Sequence, residues 1–323
     1  MRRYIKGLGI VALAGLVATG FPGMKAAKAA ELVLYTASNA KIEKVMMAAF
    51  KKAFPDIKVS AINLSTGPIT ERAIAEKANP QADVIWMVNG IALEQLKVAG
   101  ALEPYVPENS PVVEDFRDDE GFYMGHNATV MGMAVNTKLL KEKGLPMPTT
   151  WVDLVKPVYK GSITVAAPTK SGTGLSIFST MVDVFGWNFI DNLHQNIFQY
   201  NSSGSAAARQ TASGETVIGL SYDGAILQQI GKGKSVEMVI GRISPNVVEG
   251  AGLLAGGPNP KEGKIFLDWL FSKDGAKALG PFIGIGAVPG YGKIDLAKVH
   301  LWNMRRPLDA NAFKKKWATI YEK

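Results

Sequence analysis

From Glu31 onward, short β-branched and apolar runs alternate with stretches whose apolar positions recur every three or four residues, the pattern of strands interleaved with amphipathic helices. Leu32 to Tyr35 reads as a strand, and Thr36 to Asn39 as a turn. Ala40 to Phe54 reads as a helix, because Ile42, Val45, Met46, Ala49, Phe50 and Ala53 fall on one face. Pro55 stops it. Ile57 to Ile62 is the next strand, Gly67 and Pro68 open a helix with proline at its first position, and Asp83 to Met87 makes a third strand. A βαβαβ series predicts a mainly parallel, doubly wound sheet.

A second series begins after Pro146 to Thr150. Ser162 to Ala166 reads as a strand, Ser171 to Gly174 as a turn and Leu175 to Phe185 as a helix. Phe198 to Ser203 then leads into Ala206 to Ser213, Val217 to Ser221 is a strand, and Ala225 to Ile230 is helical. Late in the chain Asn259, Pro260 and Glu262 supply a cap, a first-position proline and a third-position acid for a helix carrying Ile265, Phe266, Trp269 and Leu270. No Pro/Ser-rich linker separates the series, so strands near Thr129 to Val135 and Val236 to Ile240 are expected to cross as hinges. The fold class is α/β: two doubly wound lobes joined by hinge strands, lobe 1 from residues 30–130 plus 245–323 and lobe 2 from 131–244.

The N-terminus changes how the charge is read. Arg2, Arg3 and Lys6 precede an apolar stretch from Gly7 to Phe21, a Pro22-Gly23 break and Ala27-Lys28-Ala29, which together read as an export signal cleaved after Ala29. The apolar run is shorter than the roughly 20 residues that span a bilayer. The whole chain carries 36 Lys+Arg against 28 Asp+Glu, a formal +8 that would raise nucleic acid as a partner. Five of those basic residues and no acidic ones lie in residues 1–29, so the remainder holds 31 against 28, or +3, and that inference loses its support. There are no cysteines, which excludes disulfides, thiolate metal sites, cysteine nucleophiles and a lipid-modified N-terminal cysteine. The expected location is the periplasm, as a soluble monomer.

Catalytic motifs are missing. There is no Gly-x-Ser-x-Gly elbow, His-Glu-x-x-His, Walker A loop or Gly-x-Gly-x-x-Gly after a strand, and His126, His194 and His300 share no ligand spacing. No enzyme activity and no cofactor are expected. Small hydroxyl residues gather instead where strands end and helices begin: Thr36 to Asn39, Ser65 to Gly67, Ser171 to Gly174, and Asn201 to Ser205. A helix N-terminus offers unpaired N–H groups and partial positive charge, and Ser or Thr adds a hydroxyl donor, so such junctions can cradle an anion. In an open α/β sheet they share the carboxyl edge of the strands. Plain N-capping also places Ser or Thr there. The candidate ligand-binding residues are Ser38, Asn39, Thr66, Ser171, Gly172, Thr173, Ser203, Tyr222 and Asp223, with Trp86 and Asn89 at the same edge. The two glycines within Ser171 to Gly174 let backbone approach a ligand more closely than a cap requires.

Several segments, in order along the chain, resemble the bacterial extracellular solute-binding proteins of ABC importers, in the branch of ferric-iron, phosphonate and sugar-phosphate binders. They are Val98-Ala-Gly-Ala-Leu-Glu-Pro-Tyr105, Val135-Asn-Thr-Lys-Leu-Leu, Pro148-Thr-Thr-Trp-Val-Asp-Leu-Val155 and Tyr159-Lys-Gly-Ser-Ile163. Ala167-Pro-Thr-Lys-Ser-Gly-Thr-Gly174 and Phe266-Leu-Asp-Trp-Leu-Phe-Ser272 with Gly275 complete the set. The resemblance implies a type 2 periplasmic-binding fold that closes on a small ligand and hands it to a membrane permease and, through it, an ATPase subunit. Iron binders of this branch carry two adjacent tyrosines where this chain has Leu220-Ser-Tyr-Asp-Gly-Ala225, and often a His where it has Asn39. These departures leave a phosphorylated or phosphonate ligand, such as a hexose phosphate or 2-aminoethylphosphonate, as the expectation. By the resemblance, Ser38, Ser171 and Thr173 hold phosphoryl oxygens, while Tyr222 and Asp223 meet the rest of the ligand. The alternative is a ferric-iron or ferric-chelate binder using Tyr222 with an exogenous anion.

Overall fold

The structure, a computed structural model, describes residues 30–302 and 309–322. The expected export signal, residues 1–29, lies outside the described residues.

The chain opens with β1 (Glu31–Thr36), α1 (Ala40–Ala53), β2 (Lys58–Asn63), α2 (Thr66–Ala75), β3 (Val84–Asn89) and α3 (Gly90–Val98). β1 pairs in parallel with both β2 and β3, as the βαβαβ pattern predicts. Strand alternation sends Leu32 and Leu34 into a core with Ile42, Met46 and Phe50 of α1. Tyr35 points to the opposite face, against Ile69, Ala73, Leu93 and Leu96 of α2 and α3. α2 starts at Thr66, two residues before Pro68, which its first turn tolerates because no N–H there has an intrahelical partner.

β4 (Leu102–Glu103) leads to β5 (Met124–Asn136), a strand of 13 residues, and the second series follows. It comprises α4 (Thr137–Glu142), β6 (Ile163–Ala166), α5 (Gly172–Phe185), α6 (Trp187–Asn196), β7 (Ile197–Asn201), α7 (Ala206–Ser213), β8 (Ile218–Tyr222), α8 (Asp223–Gly231) and β9 (Val236–Val239). β6 runs parallel to β7 and β8, and β8 runs antiparallel to β5. Met131, Met133 and Val135 of β5 share a second core with Ile163, Val165, Ile177, Phe178 and Leu220. The chain then returns through β10 (Ile243–Ser244) and β11 (Asn246–Leu254), and ends in α9 (Pro260–Leu270), α10 (Lys273–Leu279), β12 (Ile285–Gly286), β13 (His300–Leu301) and α11 (Ala310–Tyr321).

β5 joins the two halves of the sheet, whose path is β2-β1-β3-β11-β5-β8-β6-β7. Its first part, from Met124 to Val130, pairs with β11, and its second, from Met131 onward, pairs with β8 and β9. The crossing near Thr129 to Val135 is therefore where the pattern predicted it. The other expected hinge strand, Val236 to Ile240, differs: β9 pairs only with the second part of β5, and the chain crosses after it, through residues 240–245 into β11. A β-branched run announces a strand but not which sheet it joins.

Two further expectations are corrected. Asn259 precedes α9 but its side chain makes no cap bond; its N–H and amide instead go to Asp83 at 2.5 and 3.3 Å. Asp83 is fully buried and also accepts from the Val33 N–H at 2.8 Å, so its desolvated carboxylate takes the donors available. The C-terminal helix, assigned to lobe 1, packs on the second core through Phe313 and Trp317, with the Trp317 ring 4.3 Å from that of Phe178. Its aromatic stripe finds an aromatic cluster there, which position along the chain does not reveal.

Candidate functional site

In the second half, β6 and β7 end side by side, and Ala167 N–H donates to the Asn201 carbonyl at 2.8 Å. Asn201 is buried and holds this junction by donating to Thr164 Oγ1 and Gln210 Oε1 at 2.9 and 2.8 Å. The segment leaving β6 makes one turn, with Ser171 N–H bonded to the Ala167 carbonyl, and enters α5. Ser171 occupies the N-cap position in extended conformation, yet its hydroxyl makes no cap bond. Gly174 presses onto the strand end, where a Cβ would overlap the Ala166 carbonyl.

The loop leaving β7 closes on the same place. A Cβ on Gly204 would overlap Thr173 Oγ1, so the absence of a side chain lets the two loops touch. Ser221 of β8 donates to the Gly204 carbonyl at 2.7 Å and fixes the loop from below. Ser203 and Ser205 hydroxyls lie 3.2 Å apart, and Arg209, exposed in the first turn of α7, donates to Ser205 Oγ at 2.6 Å. The loops that carry Ser171 to Thr173 and Ser203 thus meet where Thr173 touches Gly204, with Ser205 and Arg209 on the second loop. The sequence reading missed Arg209, although its spacing of four from Ser205 places both on one side of a helix start.

In the first half the same residue types serve the chain itself. Ser38 is 5% exposed; its N–H goes to Thr36 Oγ1 at 3.1 Å, and its hydroxyl to the Asn39 carbonyl at 3.2 Å. Asn39 Oδ1 caps α1 by accepting from Ile42 N–H at 3.0 Å, and Asn89 caps α3 in the same way at 2.9 Å. Thr66 is the first residue of α2, where its carbonyl accepts from Thr70 Oγ1 at 2.7 Å. The Trp86 indole, expected at the edge, is buried in the core against Phe266.

On β5 and β11 of the first half, close to where the halves meet, lies a group of polar side chains. β11 slips register twice around Gly250, leaving Met87 of β3 and His126 of β5 as extra residues on either side of it. Met87 has φ of 57°, a left-handed conformation that costs energy in a residue with a side chain. The double bulge brings Glu249 beside Asn127, whose Nδ2 donates to it at 3.1 Å. Burial pushes the Glu249 carboxyl above its ordinary range, against that hydrogen bond. The His126 ring, hydrogen-bonded through Nδ1 to Asn127 Oδ1, is held at a pKa of about 4 by burial. Glu249 was not anticipated, though the glycines of the Gly-Ala-Gly that follows it in an apolar strand are a bulge signal.

Tyr222 ends β8 opposite Met131, half-buried. Asp223, next along, is 3% exposed. It was expected to reach a ligand, but Oδ1 accepts from Gly224 N–H at 2.6 Å and Oδ2 from Val130 N–H at 3.4 Å. Burial raises its pKa to about 6, the Glu249 charge adds to this, and both N–H donors and Lys293 oppose it. Among the described residues no three His, Asp or Glu side chains are arranged to hold a metal ion, and no helix is long and apolar enough to cross a membrane.

Two doubly wound halves on a shared central strand define a two-lobed fold. Residues 35–277 match the family described as bacterial extracellular solute-binding protein, and the chain belongs to it. A probable ABC transporter periplasmic-binding protein of Sinorhizobium fredii is 26% identical over 271 residues, 80% of this chain and 73% of the relative. The periplasmic binding protein AfuA of Actinobacillus pleuropneumoniae, solved with exogenous fructose-6-phosphate bound, is 26% identical. Its TM-score is 0.69, over 91% of this chain and 99% of that one. Iron-bound HitA of Pseudomonas aeruginosa has the same fold, with TM-score 0.69 at 19% identity over 89% of this chain and 99% of that one. The protein is a solute-binding component of an ABC importer with the type 2 periplasmic-binding fold.

Proposed function

We propose that the protein binds a phosphorylated or phosphonate-bearing small molecule between its two halves and delivers it to a permease and its ATPase subunit. The carrying observation is the second-half cradle: Ser171 and Thr173 at the start of the long helix α5, with the Ser171 hydroxyl not spent on capping. Gly172 is exposed and is the first residue of α5, where backbone N–H groups have no intrahelical partner and can donate to a phosphoryl oxygen. Ser203, Ser205 and Arg209 add hydroxyl and cationic donors at its rim. The similarity to AfuA, which binds fructose-6-phosphate, supports the same ligand class. Asn39, Thr66, Tyr222 and Glu249 are proposed to meet the remainder of the ligand, and a carboxylate there favours hydroxyl or ammonium groups.

Lobe 1 is proposed to comprise residues 30–130 and 245 to about 302, and lobe 2 residues 131–244 with α11. They hinge about β5 as a monomer in the periplasm, after loss of residues 1–29. Charge-assisted hydrogen bonds contribute about 1.5–3 kcal/mol each, so a few reach micromolar affinity, about −8 kcal/mol.

A thermal-shift screen of hexose phosphates, phosphonates, their unphosphorylated counterparts and ferric citrate tests this reading. A ligand at a hundredfold excess over Kd stabilises by about 2.7 kcal/mol, on the order of 4–5 °C for a chain of this size. A shift with phosphorylated compounds alone is expected. A shift with ferric citrate alone, accompanied by a visible charge-transfer band, overturns it in favour of iron.

A further inference from the structure

The halves meet on β5 between Val130 and Met131, and the two edges of that strand are joined differently. On one edge β9 and β11 follow one another, and residues 240–245 connect them covalently; Met131 N–H donates to the Pro245 carbonyl at 2.8 Å. On the other edge β8 stops at Tyr222, opposite Met131, and β12 begins at Ile285, opposite Ala128. No chain links these two strand ends. The space between them is occupied by the Asp223 carboxylate and by Gly284.

Asp223 belongs to the second half, through α8, yet its Oδ2 accepts from Val130 N–H and so extends the β8 ladder by one rung past the seam. Gly284 belongs to the first half, between buried Ile283 and Ile285. Its carbonyl accepts from Lys293 and Ile294 N–H groups at 2.8 and 2.9 Å, which anchors it from the far side. A Cβ on Gly284 would overlap Asp223 Oδ2. Its φ is not in the left-handed region, so space, not backbone freedom, is what requires glycine here.

We propose that Asp223 and Gly284 form a noncovalent hinge joint, the counterpart of the 240–245 crossover, which sets the angle at which the two halves meet. Bending β5 at the seam must change the separation of β8 and β12, and this contact limits how closely they approach. A rigid, buried carboxylate against an anchored glycine makes a hard stop; a methyl group inserted there is a wedge. Glu249 of β11 and Lys293 of the loop after β12 are the charged groups facing Asp223, of opposite sign. The joint does not depend on which ligand is bound, but because it biases the interlobe angle it adjusts the affinity of any ligand that prefers one angle.

The test is a double-mutant cycle on the full mature chain, with Gly284→Ala, Asp223→Ala and both together, read by small-angle X-ray scattering and thermal melting without ligand. Gly284→Ala is expected to shift the radius of gyration from the wild-type value and to lower the melting temperature. In the Asp223→Ala background the added methyl should cause no further shift, because the atom it meets is gone. Scattering unchanged by Gly284→Ala, or an equal shift in both backgrounds, overturns the joint. If Gly284→Ala alone fails to fold, recovery of a folded double variant supports the proposal, and failure of the double variant where Asp223→Ala folds overturns it.

Discussion

The first strand–helix junction of each half is built from the same small polar residues and uses them in opposite ways. Between Thr36 and Asn39 the side-chain oxygens turn back on the chain: Thr36 takes the Ser38 N–H, Ser38 bonds the next carbonyl, and Asn39 Oδ1 caps α1. Between Ser171 and Gly174, α5 begins without a side-chain cap. There Gly174 sits on the Ala166 carbonyl and Thr173 meets Gly204 across the adjoining loop. What distinguishes the two junctions is therefore not the hydroxyl. It is the interleaved glycines, which bring backbone and hydroxyls from two loops into one place while leaving α5 uncapped.

The contrast can be broken most forcefully at the glycines. Gly174→Ala drives a methyl into the Ala166 and Ala167 backbone, an overpacking of typically 1–3 kcal/mol, which should appear as a lower urea midpoint. Gly172→Ala meets nothing within 4 Å and should leave the midpoint nearly unchanged. Equal losses at both would remove the distinction between the packed and the open glycine.

A smaller effect separates the two caps. Asn39→Ala should cost about 1 kcal/mol in equilibrium unfolding, the usual value of a lost N-cap. Ser171→Ala should cost no more than a few tenths, since its hydroxyl makes no cap bond. A full cap penalty at Ser171 would make the two junctions equivalent and argue against the cradle.

The smallest signal is expected from acid in the wild-type protein, because buried groups in the two halves oppose each other. Asp223 has its pKa raised from 3.8 to about 6 chiefly by burial, so the folded state holds a proton that the unfolded chain has lost, and stability falls as pH rises through this range. His126 has its pKa lowered from 6.5 to about 4 by burial, so the unfolded chain binds the proton first, and stability falls as pH drops through this range. The two trends largely offset between about pH 4 and 6. Asp223→Asn should unmask a melting temperature that falls on acidification, and His126→Gln one that rises. Identical pH profiles for the two variants would contradict the assignment of either group.

Much of the fold was legible from local pattern. Ile42, Met46 and Phe50 recur one turn apart and do face one core, and the parallel arrangement of β1, β2 and β3 follows from strand–helix alternation. The crossing at Thr129 to Val135 was also visible, because no Pro/Ser-rich linker separates the two strand–helix series. What could not be read depends on partners distant in sequence. Nothing near Trp317 announces Phe178, and nothing near Asn259 announces Asp83. At the candidate site, the loops of Ser171 and Ser203 were identified, but their union at Gly204 was not, because it depends on a tertiary approach of two loops. Glu249 was passed over because its meaning comes from two register slips against different strands.

The central claim is that the second-half cradle holds a phosphoryl group. Its most direct measurement is calorimetric titration of the wild-type and Ser171→Ala/Thr173→Ala proteins with a hexose phosphate that binds in the screen, and with the corresponding free sugar. Two charge-assisted hydrogen bonds of about 1.5–3 kcal/mol each correspond to a loss of roughly a hundredfold or more in affinity for the phosphate ester. The account predicts that loss for the hexose phosphate and little change in whatever weak binding the free sugar shows. Equal weakening of both ligands, or undiminished affinity for the phosphate ester, would contradict it.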